Sequence, residues 1–194
     1  MARTPSTMLE LKTSAPYFSL ETPKGEVVKL DDFSGKKGLI IVFMCNHCPY
    51  VQLLRESISE FAKDCQKNDV GFVAINSNDF KNYPDDSPEK MLIEIDNFSY
   101  TFPYLIDKNQ ETAKAYKAAC TPDFYLFDEE LKLVYRGQYD DARPGNGKDV
   151  SGKNLKNAVT ALLASDPIPT EQIPSLGCNI KWIQGNEPDY FAKS

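Results

Sequence analysis

The sequence predicts a mixed α/β sheet with helices on both faces, on three observations. The run GLIIVFM at 38–44 is apolar and β-branched without alternation, the pattern of a strand covered on both sides. Beyond it the period changes, because Val51, Leu54, Ile58, Phe61 and Cys65 recur at steps of three and four, as on one face of a helix. A second buried-strand pattern, VGFVAINS at 70–77, follows directly. Strand, helix and strand in that order describe a layered α/β domain.

The remaining elements fit around this unit. APYFSLETPKGEVVKL at 15–30 reads as two short extended pieces around a turn at Pro23, Lys24 and Gly25, an N-terminal hairpin. SPEKMLIEIDNFSYTF opens with serine before proline, then places Leu92, Ile95 and Phe98 or Ser99 on one side of a helix. FPYLID reads as a short strand and NQETAKAYKAA as a helix. DFYLFDEELKLVYRGQY reads as two strands joined by a tight acidic turn. GKNLKNAVTALLAS gathers Leu155, Ala158, Val159 and Leu162 on one helix face. The rest has prolines at 167, 169, 174 and 188 and no clear period, so it is expected to be irregular and laid over the surface.

A chain of 194 residues holds one substantial core and is short for two. The expected organisation is therefore a single domain over 1–194, with its core at about 12–165 and a C-terminal extension, 166–194, packed on it. A net charge of -6 offers no electrostatic reason to bind nucleic acid or an anionic membrane. The longest apolar run, LIIVFMC, is far too short to span a bilayer, and MARTPSTMLE lacks the apolar stretch of a secretory signal. A cytosolic setting is expected. The five cysteines, at 45, 48, 65, 120 and 178, do not form the framework of a small secreted domain.

Two of those cysteines sit in MCNHCPYV at 44–51, at the strand-to-helix junction. A helix N-terminus stabilises a thiolate through unpaired N–H groups and the positive end of its dipole. Pro49 suits the first helical turn, where its missing N–H has no intrahelical role. Cys45 and Cys48 are three apart and can close a small disulfide, and His47 between them can favour the thiolate as imidazolium. Zinc would need about four ligands, and no second close pair of cysteine or histidine exists, so no metal and no cofactor are expected. Cys65, on the apolar helix face, reads as an inert core thiol. In YDDARPG, Asp140, Asp141 and Arg143 read as a solvated turn, and Trp182 as an anchor for the tail.

The order of strand, cysteine motif, helix and strand, followed by CTPDFYLFD, resembles the thioredoxin fold. In that family a cis-proline opens a strand facing the active-site cysteines, and the matching residue is Pro122, after Thr121. APYFSLETPKGEVVKLDDFSGKKGLIIVF and FPYLIDKNQETAKAYKAACTPDFYLFDEE resemble the alkyl hydroperoxide reductase and thiol-specific antioxidant branch. With FMCNHCPYV and PSLGCNIKW, they are similar to bacterial peroxiredoxin-like members of the thioredoxin family over nearly the whole chain.

The resemblance allows two registers. In one, Cys45 and Cys48 match the thioredoxin pair, with Cys45 as nucleophile. In the other, Phe43 matches the phenylalanine of F-W-A-x-W-C-x-x-C, Cys48 takes the nucleophile's place and Val51 that of the resolving cysteine. Counting ten residues from Cys48 reaches ISEFA, the match to the family's core-facing helix pattern, which favours the second register. Cys45 is then the expected resolving thiol, with Cys120 as an alternative and Cys178 another if the tail folds back over the site. The peroxiredoxin pattern P-x-x-x-T-x-x-C falls on Ile41 and Cys45 in one register and on Gly38 and Val42 in the other, so neither keeps it.

The implied function is thiol-disulfide exchange. Cys48 attacks, Cys45 resolves, His47 tunes, and Thr121 with Pro122 shapes a groove for the substrate chain. The expected partners are a protein or small-molecule disulfide and a thiol reductant, and the sequence does not set the oligomeric state. The alternatives are a peroxiredoxin-like antioxidant working through a sulfenic acid, a metal-binding thioredoxin-fold protein, and a redox-inert module.

Overall fold

In the computed structural model, which describes residues 3–191, the apolar runs take the elements their spacing predicts. In chain order these are β1 (Arg3–Pro5), β2 (Ser19–Glu21), β3 (Val27–Lys29), β4 (Gly38–Phe43), α1 (Pro49–Lys67), β5 (Val70–Asn76), α2 (Pro88–Phe98), β6 (Tyr104–Ile106), α3 (Glu111–Ala115), β7 (Cys120–Thr121), β8 (Asp123–Asp128), β9 (Leu133–Gly137), α4 (Lys153–Ala164) and β10 (Leu176–Asn179). Seven strands form one sheet in the order β3-β2-β6-β5-β4-β8-β9. In it β4 runs parallel to β5 and antiparallel to β8, and β2 and β3 are the expected hairpin.

Every residue of β4 is buried, and alternation across the strand explains its unbroken apolar run. Ile40 and Val42 join a cluster with Ile58 of α1, Met91 of α2 and Leu155 of α4. Leu39, Ile41 and Phe43 face the other way and pack with Tyr116, Tyr125 and Trp182. Helix α1 buries Val51, Leu54, Ile58, Phe61 and Cys65, as its spacing predicts.

Three elements depart from the sequence reading. Helix α2 turns Met91 and Glu94 inward, while Ser99 ends it in the left-handed region at φ 51°. A buried glutamate is tolerated there because Arg55 lies 3.5 Å from its carboxylate and the Tyr100 hydroxyl donates to it at 3.3 Å. Helix α3 is only one turn long, since Gln110 before it and Lys117 after it both adopt positive φ. The third departure bears on the site.

The proline-rich segment is irregular except at Leu176–Asn179, which forms β10 in a second sheet of order β1-β10-β7. The chain reaches it along the free edge of β9, where the Gln138 amide donates to the Ile173 carbonyl at 2.9 Å and the Arg136 amide to the Gln172 side chain at 3.0 Å. Past β10, Trp182 is buried against Tyr190, ring edge to face, and anchors the segment as expected. Single backbone and side-chain hydrogen bonds thus supply order where proline denies a regular ladder.

Gly177 lets β10 lie hard against β7, because a methyl group there would overlap the Thr121 carbonyl. Gly177→Ala is expected to push the strands apart and cost about 1–3 kcal/mol in urea unfolding. Amide exchange at Cys178 and Asn179 should rise with it. Unchanged stability and exchange would mean that the β7–β10 contact is not close-packed in solution.

Candidate active site

Cys48 caps the N-terminus of α1, with extended backbone at φ -72° and ψ 120°, and Pro49 opens the helix. Its carbonyl accepts the Gln52 N–H at 2.9 Å, so the cysteine belongs to the helix although its side chain stands ahead of it. Cys45 lies on the short loop from β4, and Thr121 faces both sulfurs across a cis peptide bond to Pro122. The Cys48 thiol donates to the Thr121 carbonyl at 3.1 Å, and the Cys45 sulfur lies 3.4 Å from the Thr121 hydroxyl. Both sulfurs are shut away from solvent.

Register then selects among the other cysteines. In the antiparallel pair of β7 and β10, Cys178 lies opposite Thr121 and Asn179 opposite Cys120. Directly opposed residues share a face and successive residues alternate. Cys178 therefore projects to the side of Thr121 that holds Cys45 and Cys48, where its sulfur hydrogen-bonds to Cys48. Cys120 turns away, its thiol 3.7 Å from the Pro122 carbonyl. Three of the five cysteines are thus gathered, while Cys120 and Cys65 are not. The groove expected beside Thr121 is filled on that side by β10. What stays open is a shallow cleft bounded by Tyr50, Leu54, Pro122, Tyr139, Arg143 and Leu176.

The cluster separates the thiols electrostatically. Hydrogen bonds from Cys178 and then Cys45 hold the Cys48 pKa well below that of an ordinary thiol; burial opposes them, and the Thr121 side chain and the Val51 amide add to them. The Val51 contribution falls short of a full N-cap hydrogen bond. Cys45 moves the other way, raised by burial and by its bond to Cys48. Cys178 is raised by its bond to Cys48 and then by burial. Burial also raises Cys120 and pushes Cys65 up to about 12. Of the five cysteines, only Cys48 is arranged to lose its proton readily.

His47 is directed elsewhere. Its Nδ1 lies 2.7 Å from an Asp86 carboxylate oxygen, and its ring stacks on Tyr83. The Asp86 bond raises the imidazole pKa against an opposing effect of burial, with Cys48 a minor influence beside it. Asp86, which the sequence reading passed over, is fully buried. It accepts from the Asn46 amide at 2.8 Å, the His47 amide at 3.3 Å and the Asn78 side chain at 2.7 Å. Cys45, His47 and Asp86 bring three ligand atoms within 4.8 Å of one another. Each Asp86 oxygen already takes two donors, so the set forms a loop anchor whose bonds a cation would have to displace.

The solvated turn expected at YDDARPG is half right. Asp141 pairs on the surface with Lys148 at 2.7 Å and Lys153 at 2.9 Å. Asp140 is instead fully buried, accepting from the amides of Ala142, Ser151 and Gly152 at 2.6–2.9 Å. That anchored turn sets Arg143 at the cleft, where it donates to the Gln138 side chain at 2.6 Å and to the Asp140 carbonyl at 2.7 Å.

Two titrations check these assignments. Thiolate absorbance in the ultraviolet should persist to a pH well below the ordinary thiol value of about 8.5, vanish in Cys48→Ser, and shift to higher pH in Cys45→Ala. An unshifted wild-type midpoint would refute the assignment. His47, the only histidine, should titrate by NMR above the free value of about 6.5 and return towards it in Asp86→Asn. With the folded value raised, the pair's stabilisation is full below about pH 6.5 and fades as pH rises through the folded value. The unfolding midpoint lost in His47→Gln should therefore shrink with rising pH, and a constant loss would exclude the ion pair as its source.

The chain is 28% identical to the thiol-disulfide oxidoreductase ResA of Geobacillus kaustophilus over 136 residues, 69% of this chain and 74% of that one. A hypothetical protein of Sinorhizobium meliloti has a solved structure that matches with a TM-score of 0.92 at 47% identity, covering 94% of this chain and all of the other. An uncharacterized conserved protein from Geobacillus kaustophilus also matches at 0.92, with 49% identity, covering 94% of this chain and 97% of its own. The thioredoxin domain of a thiol-disulfide oxidoreductase from Bacteroides vulgatus shares the fold, with a TM-score of 0.62 at 18% identity, over 80% of this chain and 99% of that domain. The Redoxin family model matches residues 10–157, and the chain belongs to the Redoxin family.

Proposed function

We propose that the protein is a thiol-disulfide oxidoreductase in which Cys48 attacks and Cys45 resolves. The observation that carries this reading is the Cys48 sulfur at the head of α1, with Cys48 and Cys45 both held against Thr121, at 3.1 Å from its carbonyl and 3.4 Å from its hydroxyl. The Cys48 thiolate attacks one sulfur of a substrate disulfide, breaks the S–S bond and releases the other sulfur as a thiolate, which takes up a proton. The Cys45 thiol then loses its proton and attacks Cys48. The second substrate sulfur leaves, and a Cys45–Cys48 disulfide remains. A thiol reductant returns both cysteines to the reduced state, so two electrons pass from reductant to substrate.

The supporting residues divide the remaining tasks. Pro49 starts the helix without spending a donor that the cap needs. Thr121 orients both sulfurs, and Pro122, the next residue, lines the cleft. His47 acts mainly by fixing the loop between the two cysteines to Asp86. The substrate is a protein or small-molecule disulfide. The reading draws support from relatives whose names specify thiol-disulfide oxidoreductases. We infer a cytosolic setting from the cysteine spacing. No helix among the described residues is long and apolar enough to cross a membrane.

Reduction of glutathione disulfide and of insulin, with dithiothreitol as the electron source, tests the reading. Cys48→Ser should lose roughly a hundredfold or more in turnover, and oxidation by one equivalent should yield a Cys45–Cys48 bridge on peptide mapping. Full turnover in Cys48→Ser, or consumption of hydrogen peroxide far faster than of either disulfide, would overturn it.

A further inference from the structure

The C-terminal strand places a third sulfur on the reactive one, and three independent features hold it there. The ladder sets Cys178 opposite Thr121, whose carbonyl is 3.1 Å from the Cys48 sulfur. Gly177, the residue before it, removes the side chain that would keep β10 from approaching the Thr121–Pro122 backbone. On its outer side β10 is backed by β1, with Cys178 paired to Arg3 and Gly177 to Thr4. Cys178 is as deeply buried as Cys45 and shares one apolar cluster with both Cys45 and Cys48. A one-residue slip of β10 would turn Cys178 away and bring a glycine or an asparagine in its place.

We propose that Cys178 is a second resolving thiol for Cys48, delivered by β10 from its place opposite Thr121. The inference rests on Cys48 being the nucleophile. In the step, the Cys178 thiol gives up its proton and attacks the Cys48 sulfur of the mixed disulfide. The bond from Cys48 to the substrate sulfur breaks, and that sulfur leaves as a thiolate and takes a proton. One Cys48–Cys178 disulfide forms, each cysteine losing one electron, and the substrate disulfide is reduced to two thiols. The bridge fastens the C-terminal strand covalently over the head of α1, where in the reduced protein it is held by hydrogen bonds and packing. Cys120, on the other face of β7, takes no part.

The test uses the full chain and glutathione disulfide as oxidant, followed by intact mass and disulfide mapping. Cys45→Ser should still release glutathione and give a Cys48–Cys178 bridge, with turnover within about tenfold of the wild type. Cys45→Ser combined with Cys178→Ser should stop at a stable mixed disulfide with glutathione on Cys48. A trapped mixed disulfide in Cys45→Ser alone, with Cys178 still a thiol, would overturn the inference and leave the Cys45 mechanism standing. Loss of the mixed disulfide in the double variant would instead count against Cys48 as the nucleophile. Cys120→Ser, mapped in parallel, should change neither product; a bridge to Cys120 would refute the face assignment. Far-ultraviolet circular dichroism of each variant separates these outcomes from misfolding.

Discussion

Thr121 is the residue on which the arrangement of sulfurs depends. Its carbonyl takes the Cys48 thiol, its hydroxyl meets the Cys45 sulfur, and its backbone pairs with Cys178. The cis bond to Pro122 turns the chain so that β7 serves the small sheet while β8 begins directly in the large one. Two sheets therefore meet at one residue, and the chemistry sits at their junction. Loop sites often owe their precision to long scaffolds. Here the precision comes from three hydrogen-bonding groups on a single residue.

The arrangement also meets a general difficulty. An anion removed from water is costly unless polar partners replace the solvent. For Cys48 the replacement is a helix N-terminus together with the neighbouring thiols of Cys178 and Cys45, weak individually. Burial that would favour a neutral thiol is thereby outweighed at Cys48 alone. At Cys120 and Cys65, where no comparable donors converge, burial prevails and favours the neutral thiol. Position relative to donors, more than exposure, sets Cys48 apart from the other cysteines.

Much of the fold was legible because its signals are local. The unbroken apolar run of β4, the three-and-four spacing of α1 and the proline after Cys48 each determine structure within a few residues. The same locality marked the strand-to-helix junction that carries Cys45 and Cys48, while the threonine and proline that face it came from the resemblance of CTPDFYLFD to the thioredoxin fold. What stayed hidden depends on distant partners. Asp86 lies in an acidic, proline-containing stretch that resembles any exposed loop, and only the fold shows it buried under Asn46 and His47. Asp140 is hidden in the same way, since the amides that satisfy it come from Ala142, Ser151 and Gly152. The strand character of Leu176–Asn179 is masked by nearby prolines and by its length of only four residues. In hindsight the glycine beside Cys178 was the available signal, because glycine in a strand often marks close approach of another backbone.

The pairing of β1 with β10 joins residues near one end of the sequence to residues near the other. In topological terms the polypeptide is a belt whose buckle lies over the reactive sulfur. Two short ladders connect Arg3 to Thr121 through Cys178, although more than a hundred residues separate them in sequence. A fusion partner or affinity tag at that end would therefore act as a modifier of the chemistry, whereas one attached to the turn between β2 and β3 would hang from the far edge of the large sheet.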